Sequence, residues 1–256
     1  MNGHIKRLRV FAGPNGSGKS TLYNYLTQIK AFHSYYHINP DLIAKDLSVS
    51  LNLDNWPVDF SCTELALFLK ASPFQSLVNF NLSDSLTYQE HGISLKDPSY
   101  GNNTYLAAAI ANFLRIKMLQ SDSSFSFESV FSHVSKIHEL ESAKRTHFRI
   151  YLYFVATSNP LINLQRVKNR VENGGHDVPD DKIHARYFKT MGNLYKAFKL
   201  ADRAYFFDNS RKKVNGSFDF FAEKNGNLLY LSDPDSVPQW FGKFILEQLA
   251  LGDNLV

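Results

Sequence analysis

Eight consecutive residues, Gly13-Pro14-Asn15-Gly16-Ser17-Gly18-Lys19-Ser20, limit what this chain can fold into more than any others. They follow an apolar run over residues 5–11 that reads as a strand, and they precede a helical pattern over residues 19–30. The glycines let the backbone curl, so that consecutive N–H groups can surround phosphate oxygens at the start of a helix. A lysine at the seventh position reaches the outer phosphates of a nucleoside triphosphate, and the serine after it can ligate magnesium. Gly13, Pro14, Asn15, Gly16, Ser17, Gly18, Lys19, Ser20 and Thr21 are therefore the candidate nucleotide-binding residues, with Ser20 the candidate metal ligand.

The rest of the chain alternates strand and helix patterns. Strands are expected at 35–38, 125–127, 148–156 and 204–207, and helices at 40–45, 104–119, 160 onward, 180–199 and 239–249. Residues 218–231 read as a hairpin turning at Asn225-Gly226. This rhythm predicts an α/β sandwich with a mainly parallel sheet. Residues 48–103 break it, being rich in Asn, Ser, Asp and Leu, with a clear helix only at 62–70. The expected organisation is a core over 1–215 carrying an insertion at about 52–103, then a C-terminal hairpin and helix over 216–256 packed on that core.

Composition narrows the setting. Of 256 residues, 44% are hydrophobic and 20% charged, as in an ordinary soluble globular protein. No apolar run is long enough to span a membrane, and the N-terminal apolar stretch is too short for a signal peptide. The single cysteine, Cys62, excludes an internal disulfide and a Cys-rich metal site, so a cytoplasmic location is expected. The net charge of +4 is too small to argue for nucleic acid. Its distribution is uneven: residues 166–213 hold twelve Lys and Arg against six Asp and Glu, and residues 214–256 hold two against six. A basic segment of that kind suits an anionic ligand, and equally a set of solvated helix faces.

No apolar strand ends in the adjacent Asp-Glu pair of motor and transporter ATPases, which favours phosphoryl transfer to a bound acceptor over hydrolysis-driven work. Asp41 lies 22 residues beyond Lys19, directly after the second expected strand. A neighbouring parallel strand would deliver it to the carboxyl end of the sheet, where a carboxylate can take the proton of an attacking hydroxyl. Acidic residues also favour helix starts for the dipole alone, and position does not separate the two. Glu128 closes Phe125-Ser126-Phe127-Glu128-Ser129 and could bind substrate hydroxyls or a magnesium-bound water. Arg166, Arg170 and Arg186 flank a Gly174-Gly175-His176 turn between two helices. Such a hairpin can act as a mobile lid whose arginines stabilise the transferring phosphoryl group.

Taken together, residues 13–22, Ile38-Asn39-Pro40-Asp41, residues 125–129, residues 166–186 with the Gly-Gly-His-x-Val-Pro core, Asn193-Leu194, Ala201-Asp202 and Phe207-Asp208-Asn209-Ser210 resemble the zeta-toxin family of P-loop kinases. The resemblance implies ATP or GTP with Mg²⁺ as cofactors, and transfer to the sugar 3′-hydroxyl of UDP-N-acetylglucosamine by a toxin that an antitoxin restrains. It puts Asp41 at the base position, Lys19 at the phosphate-loop lysine and Glu128, with Ser129 beside it, at the substrate-side acid. Arg170 matches one phosphate arginine. The second corresponds to Arg186 in shorter relatives, while in larger toxins it falls near His176. The insertion departs from the family pattern. The expected function is a small-molecule kinase acting on an alcohol group of a nucleotide sugar. The alternatives are a nucleotide-binding regulatory ATPase or interaction module and a nucleic-acid end kinase. Neither nucleic acid nor a membrane is the expected partner.

Overall fold

The computed structural model describes residues 5–33, 36–89, 92–100, 104–175, 177–211 and 218–252. In chain order the elements are β1 (Arg7–Ala12), α1 (Lys19–Gln28), β2 (His37–Ile38), α2 (Pro40–Leu47), β3 (Leu51–Asn52), α3 (Cys62–Lys70), β4 (Leu86–Gln89), β5 (Gly92–Leu95) and α4 (Thr104–Gln120). They continue as β6 (Phe125–Ser129), α5 (Ser135–Arg145), β7 (Arg149–Ala156), α6 (Pro160–Glu172), α7 (Asp180–Leu200), β8 (Arg203–Asp208), β9 (Asp219–Asn225) and β10 (Leu228–Leu231). A C-terminal helix follows, α-helical over Gln239–Phe241 and Glu247–Gly252 with a π-helical turn, Gly242–Leu246, between.

Local chemistry explains many of these boundaries. α2 and α6 start with the same device: Asn39 and Asn159 accept the N–H two residues on, and Pro40 and Pro160 occupy the first turn. Ser61 caps α3 by accepting the Glu64 N–H. α6 stops in a Schellman motif, with Gly174 at φ +78, its N–H on the Val171 carbonyl and the Gly175 N–H on the Arg170 carbonyl. The Gly-Gly pair is thus first a helix terminator.

The chain divides into two compact units, Met1–Ser34 with Glu128–Val256, and Tyr35–Phe127. In the first, strands are hydrogen-bonded in the order β10-β9-β8-β7-β1. β1, β7 and β8 run parallel, with Ala12 opposite Phe154 and Ala156 opposite Asp208, while β9 and β10 are antiparallel additions. The loops leaving β1, β7 and β8 consequently emerge at one edge, where an open α/β sheet binds its ligand. Phe11, Leu22, Leu26, Phe32, Tyr153 and Val155 form a core cluster that seats α1. Phe154, Phe206, Phe221, Trp240 and Phe241 form a second set of ring contacts, which holds the C-terminal helix.

In the second unit β2 and β6 pair in parallel, Ile38 opposite Phe127, and α2 packs on α4. The region expected to be an irregular insertion contains an antiparallel sheet in the order β3-β5-β4, and α3 also rests on α4. These strands are two to four residues long, too short for alternation to be legible. α5 also went unread in the sequence. Its buried Ile137, Leu140 and Ala143 recur every three residues, a thin stripe in an otherwise charged segment. The fold class is the expected one, a mixed α/β structure with a mainly parallel sheet, and α6 and α7 are the two helices that flank the Gly174-Gly175 pair.

Candidate functional site

The phosphate loop lies between the end of β1 and the start of α1, within the first unit. Each of its glycines meets a hard constraint. A side chain on Gly13 would come within 2.0 Å of the Val155 carbonyl, on Gly16 within 2.5 Å of the Asn163 carbonyl, and on Gly18 within 2.6 Å of the Asn209 amide nitrogen. Gly16 and Gly18 also adopt φ of +71 and +101, the region that favours glycine. The curl is therefore built by close packing against the segments leaving β7 and β8.

Lys19 Nζ reaches back to donate to the carbonyls of Gly13 and Pro14, at 2.9 Å each. Ser20 Oγ donates to Glu128 Oε2 at 2.6 Å, across 108 residues of sequence. Glu128 is buried at 7% exposure, a costly place for a carboxylate without polar partners. Ser17 is fully buried, and its hydroxyl has no hydrogen-bond partner among the described residues. A glycine cradle too tight for any Cβ and an orphaned hydroxyl fit an oxyanion ligand. A hydroxyl facing a carboxylate fits a hard divalent cation with oxygen ligands. No group of three or more His, Cys, Asp or Glu among the described residues forms a separate metal cage.

Two asparagines outside the loop grip its backbone. Asn163 Nδ2, fully buried on α6, donates to the Asn15 carbonyl at 2.5 Å. Asn209 Nδ2, just past β8, donates to the Ser17 carbonyl at 2.8 Å. Thr157 Oγ1 in turn donates to Asn163 Oδ1, and Tyr187 OH on α7 donates to the Thr157 carbonyl at 2.6 Å. Asn163 carried no sequence signal beyond an Asn inside an apolar helix stripe. Tyr187 was equally silent beside Arg186.

The arginines sit on the two helices tied to this network. Asn163, Arg166 and Arg170 lie three and four residues apart on α6 and share a face. Arg166 is half-buried, and its Nη1 has no hydrogen-bond partner among the described residues. Burial lowers its pKa, with the negative charge of Asp208 opposing that shift. Arg170 and Arg186 are half-buried too, the latter next to Tyr187. Val167, Val178 and Ile183 pack the α6–α7 connection together, and Lys168 bridges to Asp180 at 3.0 Å. His176 falls outside the described residues. Asp208, at the end of β8, accepts from Trp240 Nε1 at 2.8 Å and from the Ser210 N–H.

Asp41 belongs to the second unit, in the first turn of α2, with its backbone N–H on Asn39 Oδ1 at 2.8 Å. β2 and β6 are parallel and in register at Ile38 and Phe127. Ser129 Oγ accepts the Phe131 N–H at 3.0 Å, stabilising a backbone that turns to φ +64 at Phe131. Thr190 and Asn193 of α7 fasten the same turn through the carbonyls of Val130 and Phe131. Asp202 lies at the opposite end of β8 from the loop, bound to Lys144 and the Ile150 N–H, and so serves the sheet.

No protein-family model matches the chain. A curated protein of Haemophilus influenzae, described as uncharacterized, is 36% identical over 63 residues, covering 25% of this chain and 45% of that protein. A chain of the AvrRxo1-ORF1:AvrRxo1-ORF2 crystal structure with sulphate ions superposes on 95% of this chain and 64% of its own length, at TM-score 0.53 and 14% identity. The structure of that pair with ATP gives the same coverage, identity and TM-score. This chain thus spans under half of the curated relative and under two thirds of the structural neighbours. Likeness at this identity shows the fold alone, and that fold is the mixed α/β one with a mainly parallel sheet that the sequence predicts. Among the described residues no helix is long and apolar enough to cross a membrane.

Proposed function

We propose that this protein is a nucleoside-triphosphate-dependent kinase of the zeta-toxin type, transferring a phosphoryl group to an alcohol of a small acceptor. The acceptor we favour is a sugar hydroxyl of a nucleotide sugar such as UDP-N-acetylglucosamine. The observation that carries this reading is the Ser20–Glu128 contact of 2.6 Å beside a tightly packed glycine loop with positive φ at Gly16 and Gly18. The neighbouring fold crystallised with ATP supports the nucleotide, and its complex of ORF1 with ORF2 supports a protein partner, which in this reading would be an antitoxin.

In this reading Ser20 is the residue that would hold Mg²⁺, and Glu128 would accept hydrogen bonds from a water on that ion or from acceptor hydroxyls. When bound, the ion neutralises charge between the outer phosphates. Lys19 exchanges its loop carbonyls for phosphate oxygens. Arg166, whose buried Nη1 has no hydrogen-bond partner among the described residues, binds the triphosphate, and Arg170 and Arg186 stabilise charge on the group in transfer. Asp41 orients the acceptor hydroxyl and takes its proton late in a loose transition state. Ser129 belongs to the acceptor side. Motion of the α6–α7 hairpin would admit and enclose the nucleotide.

Two variants test the reading in order. Lys19→Ala is expected to weaken magnesium-ATP binding by about 2 kcal/mol or more, as for a lost charge-assisted contact. Unchanged calorimetric affinity would remove the nucleotide site. Asp41→Asn should bind magnesium-ATP like wild type while losing roughly 10²–10⁴-fold in transfer rate. Mass spectrometry of metabolites from cells expressing wild type or Asp41→Asn identifies the acceptor. An acceptor phosphorylated equally by both excludes Asp41 as the base.

A further inference from the structure

Asn163 and Asn209 come from different elements, yet each does the same two things to the phosphate loop. Each donates its side-chain N–H to a loop carbonyl, Asn15 and Ser17 respectively. Each also packs against the glycine that follows that carbonyl: the Asn163 backbone against Gly16, the Asn209 amide against Gly18. In a planar trans peptide the carbonyl and the next N–H point in opposite directions. Fixing the Asn15 carbonyl on α6 therefore turns the Gly16 N–H away from α6. Fixing the Ser17 carbonyl on Asn209 does the same for the Gly18 N–H.

Glycine leaves both orientations of such a peptide accessible, because it tolerates φ of either sign. Nothing in the loop sequence itself selects one. We infer that Asn163 and Asn209 are positioning residues that set the Asn15–Gly16 and Ser17–Gly18 peptides with their N–H groups presented to the triphosphate. Asn163 has a further reach. Its Oδ1 accepts from Thr157, whose carbonyl holds Tyr187 of α7, and its own helix carries Arg166 and Arg170. The residue that orients the loop thus also registers the arginine helices against it. This inference rests on the nucleotide-binding proposal above.

The test uses the full chain, ¹⁵N-labelled, with magnesium-ATP as the probe. In wild type the Gly16 and Gly18 amide protons should both move downfield on adding ATP, as donors to phosphate do. Asn209→Asp keeps the size but replaces the donor with an oxygen that repels the Ser17 carbonyl. It should lose the Gly18 response, keep the Gly16 response and bind ATP about tenfold more weakly, the value of one lost hydrogen bond. Asn163→Leu should show the converse pattern. A buried substitution can fail to fold, so thermal unfolding is checked first, and the half-buried Asn209 arm decides alone if Asn163→Leu is unfolded. Variants that keep both responses, or lose both together, overturn the positioning role. A wild-type loop that does not respond at all, with no ATP binding by calorimetry, overturns the nucleotide proposal and this inference with it.

Discussion

Glu128 is the residue whose role changes most between chain and fold. In the sequence it is an acid at the end of a short strand. In three dimensions it accepts a hydrogen bond from Ser20, the residue expected to hold magnesium. Glu128→Gln preserves the volume and an acceptor oxygen for Ser20 but removes the charge. The apparent magnesium requirement of ATP binding should rise about 10–100-fold, the usual cost of losing an outer-sphere partner, while binding of metal-free ATP changes little. Titration of Mg²⁺ at fixed ATP measures both, and an unchanged requirement would place Glu128 on the acceptor instead. Tyr187 gives a second test at this scale. Burial, helped by the Asp208 charge, pushes its pKa up to about 12, and Tyr153 is likewise pushed up to about 12. The unfolded phenols ionise near 10, so their contribution is complete below pH 10 and is lost as pH rises toward 12. Urea unfolding should show stability falling across that window, and Tyr187→Phe should flatten the fall.

At the scale of elements, α7 is the member through which most of the site is fastened. Tyr187 ties it to the end of β7, and Thr190 with Asn193 ties it to the turn after β6. Its C-terminus is closed by Lys224 of β9, whose ammonium donates to the carbonyls of Phe198 at 2.6 Å and Ala201 at 2.5 Å. Burial lowers the pKa of that lysine, which measures what its placement costs. The carbonyls of a helix end need partners, and a cation there also meets the favourable end of the dipole. Lys224→Met keeps most of the apolar stem and leaves those carbonyls without the ammonium. A loss of about 2 kcal/mol in urea unfolding is expected, with nucleotide affinity preserved once the protein is folded. A loss below a few tenths of that figure would mean water replaces the lysine without penalty.

For the molecule as a whole, the division into two units has a functional consequence. The loop, its two asparagines, the arginine helices and Glu128 all belong to the unit formed by Met1–Ser34 and Glu128–Val256. Asp41 and the insertion belong to the other. Mutations confined to the second unit should therefore change acceptor phosphorylation without changing nucleotide binding. Phe113 on α4 is buried and meets Phe60 and Phe68 with ring centroids 5.0 and 5.2 Å away. Phe113→Ala should destabilise the second unit by about 3–5 kcal/mol. It should alter acceptor phosphorylation while leaving the calorimetric ATP affinity within about twofold, since no loop contact is touched. An equal loss of ATP affinity would show that the two units do not act separately.

The glycine-rich loop between β1 and α1, the parallel α/β class and the Asn-Pro helix starts were legible in the sequence, because each is a local pattern whose chemistry is complete within a few residues. The Schellman stop at Gly174-Gly175 belongs to that set, although its glycines first suggested mobility. α5 and the strands of the insertion were not legible, since a three-residue stripe and strands of two to four residues carry too little periodicity to stand out. The site partners were out of reach for a different reason. Ser20 and Glu128 are 108 residues apart, Asn163 and Asn15 are 148, and Asn209 and Ser17 are 192. Such pairs exist only because parallel strands bring the chain back to the same edge of one sheet. The sequence decided that a loop of this kind would form, and the tertiary packing of β7, β8 and α6 decided which way its peptides face.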